Sequence, residues 1–115
     1  MFSLKKIEAI IRVEKLEDIK QELAKHDIKG LTITQVVGCG HQKGQKSIYR
    51  GTVVELTLLP KIKVEVVCED KTAPEVIKLI SETAKTGEIG DGKIFVYNIE
   101  EVVRIRTGET GENAV

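Results

Sequence analysis

The sequence predicts an α+β domain in which two β-α-β units form one antiparallel sheet, and an internal repeat is the main evidence. Lys63-Val64-Glu65-Val66-Val67 repeats the pattern of Lys6-Ile7-Glu8-Ala9-Ile10, charge for charge and apolar for apolar. A helical pattern follows each copy, and an apolar strand closes each unit. Two such units in tandem are typical of the ferredoxin-like sandwich, a four-stranded antiparallel sheet with both helices on one face.

The first unit is predicted from residue 5 to residue 37. It has a β-rich strand at 5–13, a helix at 15–29 that Gly30 ends, and a strand at 31–37. Apolar residues at helical spacing predict the buried face of this helix: Leu16, Ile19, Leu23 and Ala24.

The second unit repeats this order. Its helix is predicted to begin at Thr72, which forms a capping box with Glu75, and to end near residue 85. A strand at 93–99 closes the unit. The buried stripe of the second helix is predicted to contain Val76, Ile77, Leu79 and Ile80.

Length and composition indicate one globular domain with no direct nucleic-acid partner. The chain has 115 residues, of which 41% are hydrophobic, and this suffices for a single core. Its 18 basic side chains balance 18 acidic ones, so no net charge attracts a polyanion. Few aromatic residues are available to stack on bases. They are Phe2, Tyr49, Phe95 and Tyr97.

Cysteine usage and hydropathy predict a cytoplasmic chain. Cys39 and Cys68 are far apart, and no apolar run is long enough for a signal peptide or a membrane span. Neither cysteine has metal-ligand spacing to His26 or His41, so structural zinc is not expected.

The sheet face without helices predicts self-association. The strands IEAII and VEVV carry apolar residues on both faces, and a monomer would expose one of these faces. We therefore expect an oligomer that forms through the sheet. The alternative is that charged side chains solvate this face: Glu8, Arg12, Lys63 and Glu65.

A long connection separates the two units. The segment Gly38–Gly51 is polar, basic and glycine-rich, and it is far longer than a hairpin needs. Its bulky residues Ile48 and Tyr49, flanked by Arg50, suit insertion into a partner's groove. The alternative is a hairpin tip that has no partner.

A second glycine-rich segment, Thr86–Lys93, precedes the last strand. Gly87, Gly92 and Lys93 satisfy GxxxxGK, but Ile94 replaces the Ser or Thr of a Walker motif and a strand follows instead of a helix. Backbone N–H groups between the glycines could still form a nest for phosphate, with Lys93 adding charge. The alternative is a tight helix-to-strand turn.

The third segment, Val103–Gly108, contains two arginines. Strand alternation would place Arg104 and Arg106 on one face and Ile105 on the other, so that the two guanidinium groups could clamp a phosphate. The alternative is surface pairing of these arginines with Glu100 or Glu101. A nest, a lysine and an arginine pair at strand ends together favour a polyphosphate ligand.

These motifs resemble those of the PII nitrogen-regulatory signal-transduction proteins. The similar stretches are 86–96, 104–109, 40–44 and 49–51, and the resemblance covers essentially the whole chain as one domain, residues 1–115. It implies a ferredoxin-like homotrimer with a T-loop at about 38–52, a B-loop at about 86–93 and a C-loop at about 104–115.

The resemblance also implies ligands and their sites. PII trimers bind ATP or ADP between subunits, and ATP with Mg²⁺ permits 2-oxoglutarate to bind at the base of the T-loop. The residues implied for the nucleotide are Thr32, Gly40, His41, Glu65, Val67, Gly90, Asp91, Gly92, Lys93, Arg104, Ile105 and Arg106, with the arginines coming from the neighbouring subunit. Those implied for 2-oxoglutarate are Gln42, which would also contact Mg²⁺, Lys61 and Gly90.

The implied mechanism is an allosteric switch that regulates nitrogen assimilation. Ligands shift the conformers of the T-loop, and partners read the loop through Tyr49 and Arg50. The implied partner is an ammonium transporter, whose channel the arginine would plug, so the membrane is reached only through a protein. A transcription regulator or a nitrogen-assimilation enzyme is an alternative target.

Departures from the family pattern lie in the T-loop. Val54 replaces the tyrosine that many bacterial members uridylylate, so this modification is not expected. Thr52 stands where some relatives carry a phosphorylated serine. His41 replaces an arginine that points toward the phosphates; it would either make nucleotide affinity depend on pH or be a solvated loop residue.

An enzyme is the alternative function. An anion nest with arginines could stabilise a phosphoryl transition state, as in a small phosphate-ester or acyl-phosphate hydrolase on the same fold. Asp91 is the one carboxylate among the residues implied for the phosphates in the B-loop and C-loop, so a general base is lacking and we expect no enzyme.

Overall fold

The computed structural model contains the four-stranded antiparallel sheet and the two helices that the repeat predicts. The residues that it describes are 3–28, 30–41, 47–49, 52–54 and 56–115. The strands are β1 (Leu4–Ile11), β2 (Leu31–His41), β3 (Ser47–Tyr49), β4 (Thr52–Val54), β5 (Leu56–Glu69) and β6 (Lys93–Ile99). The helices are α1 (Leu16–Lys25) and α2 (Ala73–Ala84), and the strand order in the main sheet is β2-β5-β1-β6.

The core lies between the sheet and the two helices. Alternate residues of β1 and β5 point toward the helices, because successive side chains of a strand lie on opposite faces. Ile19 and Leu23 of α1 and Val76 and Ile80 of α2 cover them. The strand residues of this core are Ile7, Ala9, Ile11, Ile62, Val64, Val66 and Cys68.

The repeat determines what the opposite face of the sheet displays. Its two copies lie side by side and antiparallel in β1 and β5, so that the central residues of the copies oppose each other and Glu8 pairs with Glu65. We call this surface the open face. It also carries Val67, Phe95 and Tyr97, which are between 38% and 45% exposed, as the sequence prediction of an uncovered apolar face requires.

The start of α2 differs from the prediction. The Thr72 backbone is already helical, at φ −87° and ψ −20°, and its side chain makes no capping hydrogen bond, so the predicted capping box is wrong. Glu75 instead lies 3.2 Å from Nδ1 of His26, just after α1. Neither α1 nor α2 has the length and hydropathy to span a membrane, and the described residues contain no other helix that does.

The connection between the units is more regular than the sequence indicates. β2 continues past Gly38 to His41, because the residues from Leu56 to Leu59 of β5 provide a partner for each of its last positions. β3 and β4 form a separate short hairpin, in which Tyr49 pairs with Thr52. The T-loop therefore rises from a two-stranded extension of the main sheet.

The chain that enters β6 passes very close to β1. A Cβ atom on Gly92 would lie 1.7 Å from the carbonyl oxygen of Ile10, and Gly92 has φ +100°. A side chain at this position would therefore combine backbone strain with a clash against β1. Gly87 has a similar φ of +89°, but its added Cβ would meet no atom within 4 Å.

This difference predicts the outcome of two alanine substitutions. Gly87→Ala should lower the free energy of unfolding by about 1–2 kcal/mol, the cost of a left-handed backbone for alanine. Gly92→Ala should cost at least about 2 kcal/mol more, because β1 and the loop must move apart. Urea unfolding of both variants measures the two losses of unfolding free energy. Equal losses would show that the close approach does not fix the loop on the sheet.

Candidate functional site

The B-loop, residues 86–93, joins α2 to β6 and turns on three glycines. Gly87, Gly90 and Gly92 all have positive φ, between +89° and +104°. Side chains disfavour this backbone region, and glycine adopts it readily. The loop can thus present successive backbone N–H groups to an anion, as the sequence prediction of a nest requires.

Asp91 holds the loop together from within. Its carboxylate accepts hydrogen bonds from the backbone N–H groups of Thr86 at 2.8 Å and Gly87 at 2.9 Å, and from the Thr86 hydroxyl. Arg12 Nε donates to the same carboxylate at 3.0 Å. These hydrogen bonds, those from Thr86 foremost, hold the pKa of Asp91 well below its usual range. The carboxylate therefore organises the loop, and a ligand would meet the backbone of Asp91.

Arg12 belongs to the site, and sequence reasoning did not identify it as part of the B-loop. It follows β1 directly, and its Nη2 donates to the carbonyl of Ile89 at 2.9 Å while its Nε bonds Asp91. The guanidinium thus connects both ends of the loop tip to the sheet. The available signal was a basic residue at the end of an apolar strand, which does not reveal a partner far along the chain.

Lys61 lies at the B-loop in the same chain. It stands on β5 opposite Val36, and its Nζ donates to the carbonyl oxygen of Gly90. The structure thus brings Lys61, Gly90 and Arg12 together beside the base of the T-loop. Two cationic side chains at a glycine-rich turn favour an anionic ligand there.

The residues predicted for adenine and ribose lie together on the open face. Thr32 of β2 pairs directly with Glu65 of β5, and Val67 is two residues farther along β5 on the same face. Glu65 is half-buried, whereas Thr32 and Val67 are exposed. We call these three residues the nucleoside set.

The C-loop is a hairpin whose tip is a turn, and the predicted strand alternation of its arginines is wrong. Val103 bridges to Thr110, the Arg104 N–H donates to the Glu109 carbonyl at 2.8 Å, and the Gly108 N–H donates to the Arg104 carbonyl at 2.7 Å. Because these bonds close a turn, no extended strand exists to place the arginines on one face. Ile105 lies at the tip and is 98% exposed.

Arg104 pairs with neither of the glutamates proposed as its alternative partners. Its Nη1 lies 3.8 Å from Oε1 of Glu109, across the turn. Both side chains are partly exposed, so this ion pair is weak and Arg104 can leave it for a stronger anion. Arg106 follows in the same turn and is exposed.

The B-loop and the C-loop lie at opposite ends of β6. Lys93 pairs with Ile10 at one end of the strand, and Ile99 pairs with Leu4 at the other. Six residue steps along a strand span about 20 Å. The base of the C-loop hairpin stays at the far end, because Thr110 lines the same cavity as Leu4 and Ile99. The hairpin reaches roughly 14 Å beyond this base, which is less than the length of β6. One chain therefore does not bring Arg104 and Arg106 to Lys93.

The remaining site residues belong to the T-loop. Gly40 and His41 are the last residues of β2, where they pair with Thr57 and Leu56. Tyr49 is the last residue of β3. Gln42, predicted for Mg²⁺ and 2-oxoglutarate, and Arg50, predicted for a partner, lie outside the described residues.

Comparison with protein families gives one match that spans most of the chain. The family model described as nitrogen regulatory protein P-II matches residues 4–109. Proteins named nitrogen regulatory protein P-II from Rhizobium meliloti and Pasteurella multocida are 53% and 51% identical to this chain over 112 residues. Each alignment covers 97% of this chain and 100% of the relative.

Solved structures show the same fold. The Bacillus subtilis GlnK-ATP complex is 36% identical, has a TM-score of 0.82, and aligns over 98% of this chain and 96% of its own. Arabidopsis thaliana PII bound to citrate is 38% identical, has a TM-score of 0.79, and aligns over 98% of this chain and 92% of its own.

The bonds of Asp91 predict a pH-dependent contribution to stability. Because the folded-state pKa of Asp91 is lowered, its stabilisation is complete above the ordinary aspartate pKa of about 4 and is lost as the pH falls further. Asp91→Asn should therefore be less stable than wild type at pH 7, and the difference in urea midpoint should shrink toward pH 2.5. Asp18→Asn, on the exposed side of α1, is the control. A constant difference over this range would contradict the role given to Asp91.

Proposed function

The chain belongs to the nitrogen regulatory protein P-II family, and we propose that it senses ATP or ADP together with 2-oxoglutarate and regulates nitrogen assimilation through its T-loop. It is a signalling protein, and its homologues carry the name of a regulator, so the hydrolase alternative is not retained. The observation that carries the proposal is the contact of Lys61 and Arg12 with the B-loop, because it brings cationic side chains and a glycine-rich turn together beside the base of the T-loop.

The B-loop supplies half of the phosphate site. Backbone N–H groups of the segment Gly90–Lys93 would bind phosphate oxygens, and the Lys93 ammonium would offset their charge. Arg104 and Arg106 would come from a neighbouring chain, because their own B-loop lies at the opposite end of β6, a strand about 20 Å long. Ile105 would pack beside them. A structure of the related B. subtilis GlnK with ATP supports a nucleotide as the ligand.

The nucleoside set and the T-loop base complete the nucleotide site. Thr32 and Glu65 offer polar groups to the sugar and base, and Val67 offers an apolar surface. Gly40 and His41 would lie toward the phosphates, with Mg²⁺ held through Gln42. Mg²⁺, when bound, neutralises phosphate charge and takes oxygen ligands.

A homotrimer accounts for the split site and for the open face. Association through the sheet would cover Val67, Phe95 and Tyr97, which a single chain exposes. It would also bring the C-loop of one chain to the B-loop of the next. The same surface thus provides both the assembly and the nucleotide clefts.

2-Oxoglutarate would bind beside the nucleotide, at Lys61, Gln42 and Gly90. A dicarboxylate next to ATP requires a cation to offset its charge. Lys61 is a half-buried cation on β5, beside the B-loop and the base of the T-loop. In the single chain, Lys61 donates to the Gly90 carbonyl. A carboxylate would compete for this ammonium and thereby change the contact between β5 and the B-loop. The structure of Arabidopsis PII with citrate supports carboxylate binding within this family.

The signal would pass to the T-loop through the β2–β5 ladder. Lys61 pairs with Val36, and the same ladder continues to the pair of His41 and Leu56. A displacement of Lys61 would therefore change the position of the two strands that carry the T-loop. Tyr49 and Arg50 would present the outcome to a target: an ammonium transporter at the membrane, a transcription regulator or an enzyme of nitrogen assimilation.

Subunit mixing tests the split nucleotide site. Lys93→Ala and the double variant Arg104→Ala/Arg106→Ala should each lose ATP affinity by at least about tenfold, since each removes charge-assisted contacts. When the two variants are denatured together and refolded as mixed trimers, some clefts combine an intact B-loop with an intact C-loop, and tight binding should return in isothermal calorimetry.

The control for the mixing experiment is each variant denatured and refolded alone. Its ATP affinity should remain low. If the mixture binds ATP no better than the separate variants, the cleft is not shared between chains.

Substitution of Lys61 tests the effector site. Lys61→Ala should abolish 2-oxoglutarate binding in the presence of Mg-ATP, and Gln42→Ala should do the same, because the dicarboxylate loses its counter-charge or its magnesium contact. ATP affinity alone should change less than about threefold. Lys78→Ala, on the exposed side of α2, is the control. Calorimetry that finds unchanged 2-oxoglutarate affinity in Lys61→Ala would refute the site.

A further inference from the structure

Two carboxylates face each other on the open face of the sheet. Glu8 of β1 and Glu65 of β5 are directly opposite in register, and their side chains are only 15% and 21% exposed. Like charges at directly opposed positions destabilise a sheet. The pairing of Glu8 with Glu65 is therefore unfavourable unless a cation compensates it.

Lys6 bridges the two carboxylates. Its Nζ lies 3.1 Å from Oε2 of Glu65, diagonally across on β5, and 3.8 Å from Oε1 of Glu8, two residues along on β1. The hydrogen bond to Glu65 and the nearby carboxylates raise the pKa of Lys6, so the ammonium stays charged over the physiological range. The Lys6 ammonium is therefore the shared counter-ion of both carboxylates.

Tyr97 fixes this arrangement from the third strand. The Lys6 ammonium lies 4.5 Å from the centroid of the Tyr97 ring, within cation–π range. The Tyr97 hydroxyl donates to Oε2 of Glu8 at 3.3 Å. Lys6 is thus held on one side by an aromatic ring and on the other by two carboxylates, which restricts where its ammonium can be.

The two carboxylates differ in how fully they are bonded. Glu8 has contacts from both Lys6 and Tyr97, whereas Lys6 is the one donor to Glu65 within the described part of the chain. An ionised carboxylate accepts several hydrogen bonds and donates none. Glu65 therefore retains acceptor capacity, and the side chain opposite it on β2 is Thr32 of the nucleoside set.

We infer that Lys6, held by Tyr97 and Glu8, is a positioning residue that keeps the Glu65 carboxylate aimed at a ribose hydroxyl of the bound nucleotide. The inference rests on the proposed nucleotide site and adds a residue and a chemical group to it. Ribose hydroxyls are the hydrogen-bond donors of the sugar, and the carboxylate is a pure acceptor. Without Lys6, Glu65 would face Glu8 with no intervening cation and would turn away.

Sugar discrimination tests this inference. Wild type should bind ATP at least about tenfold more tightly than its 2′-deoxy or its 3′-deoxy form, the effect of one hydrogen bond to a charged group. In Lys6→Met, ATP affinity should fall to within about twofold of the deoxy form, whose own affinity stays nearly unchanged. Lys6→Arg, which keeps the charge, should restore most of the preference. Calorimetry with each nucleotide supplies these affinities.

Lys5→Met is the matched control. Lys5 is the neighbouring lysine on the same strand, and it contacts Asp70 at 3.5 Å and Asn98 instead of Glu65. This variant should keep the wild-type preference for ribose. If Lys6→Met does not fold, Lys6→Gln, which preserves length and polarity, is used for the same comparison.

The outcomes separate the inference from the function on which it rests. Wild type that binds no ATP would overturn both. Wild type that prefers ATP, with Glu65→Gln losing that preference and the Lys6 variants keeping it, would overturn the positioning role alone. Equal weakening of ATP and deoxy-ATP in Lys6→Met would show a structural role only and would also overturn it.

Discussion

The length and direction of β6 constrain every other feature of the site. The strand is about 20 Å long, with the B-loop at its start and the C-loop hairpin beyond its end, so that the lysine and the arginines lie toward opposite ends of it in one chain. Under the proposed function, a polyphosphate would not bridge them within a monomer. A second copy of the chain would complete the nucleotide site, and the apolar open face is the surface on which we propose that copies meet.

The internal repeat explains both the fold and an unusual charge arrangement. Because its two copies pair antiparallel at the centre of the sheet, equivalent glutamates become direct neighbours. Lys6 offsets the repulsion between the two carboxylates, which remain half-buried. Glu65 can still accept further hydrogen bonds. A feature that follows from symmetry in the sequence thus becomes available for recognition of a ligand.

Local sequence signals predicted the elements well, while long-range contacts were not predictable. β6 begins and ends at the predicted residues, since its apolar run is bounded by Gly92 and Glu100. The hydrogen bond between Arg12 and Asp91 joins residues that are 79 positions apart, and the periodicity of the sequence does not predict such a contact.

The predicted capping box was wrong because Glu75 contacts His26, which is 49 residues away. The C-loop arginines were misplaced because the bonds from Gly108 and Arg104 close a turn that strand alternation cannot reveal. Lys61 was identified through family resemblance, and its contact with Gly90 required the structure.

A crystal structure of the protein with ATP would test the shared site most directly. We expect the phosphates to lie against Gly90 and Lys93 of one chain and against Arg104 and Arg106 of a neighbouring chain. We also expect a ribose hydroxyl within hydrogen-bond distance of Glu65. A nucleotide whose phosphates contact residues of a single chain, or that lies away from the B-loop, would contradict a site shared between chains.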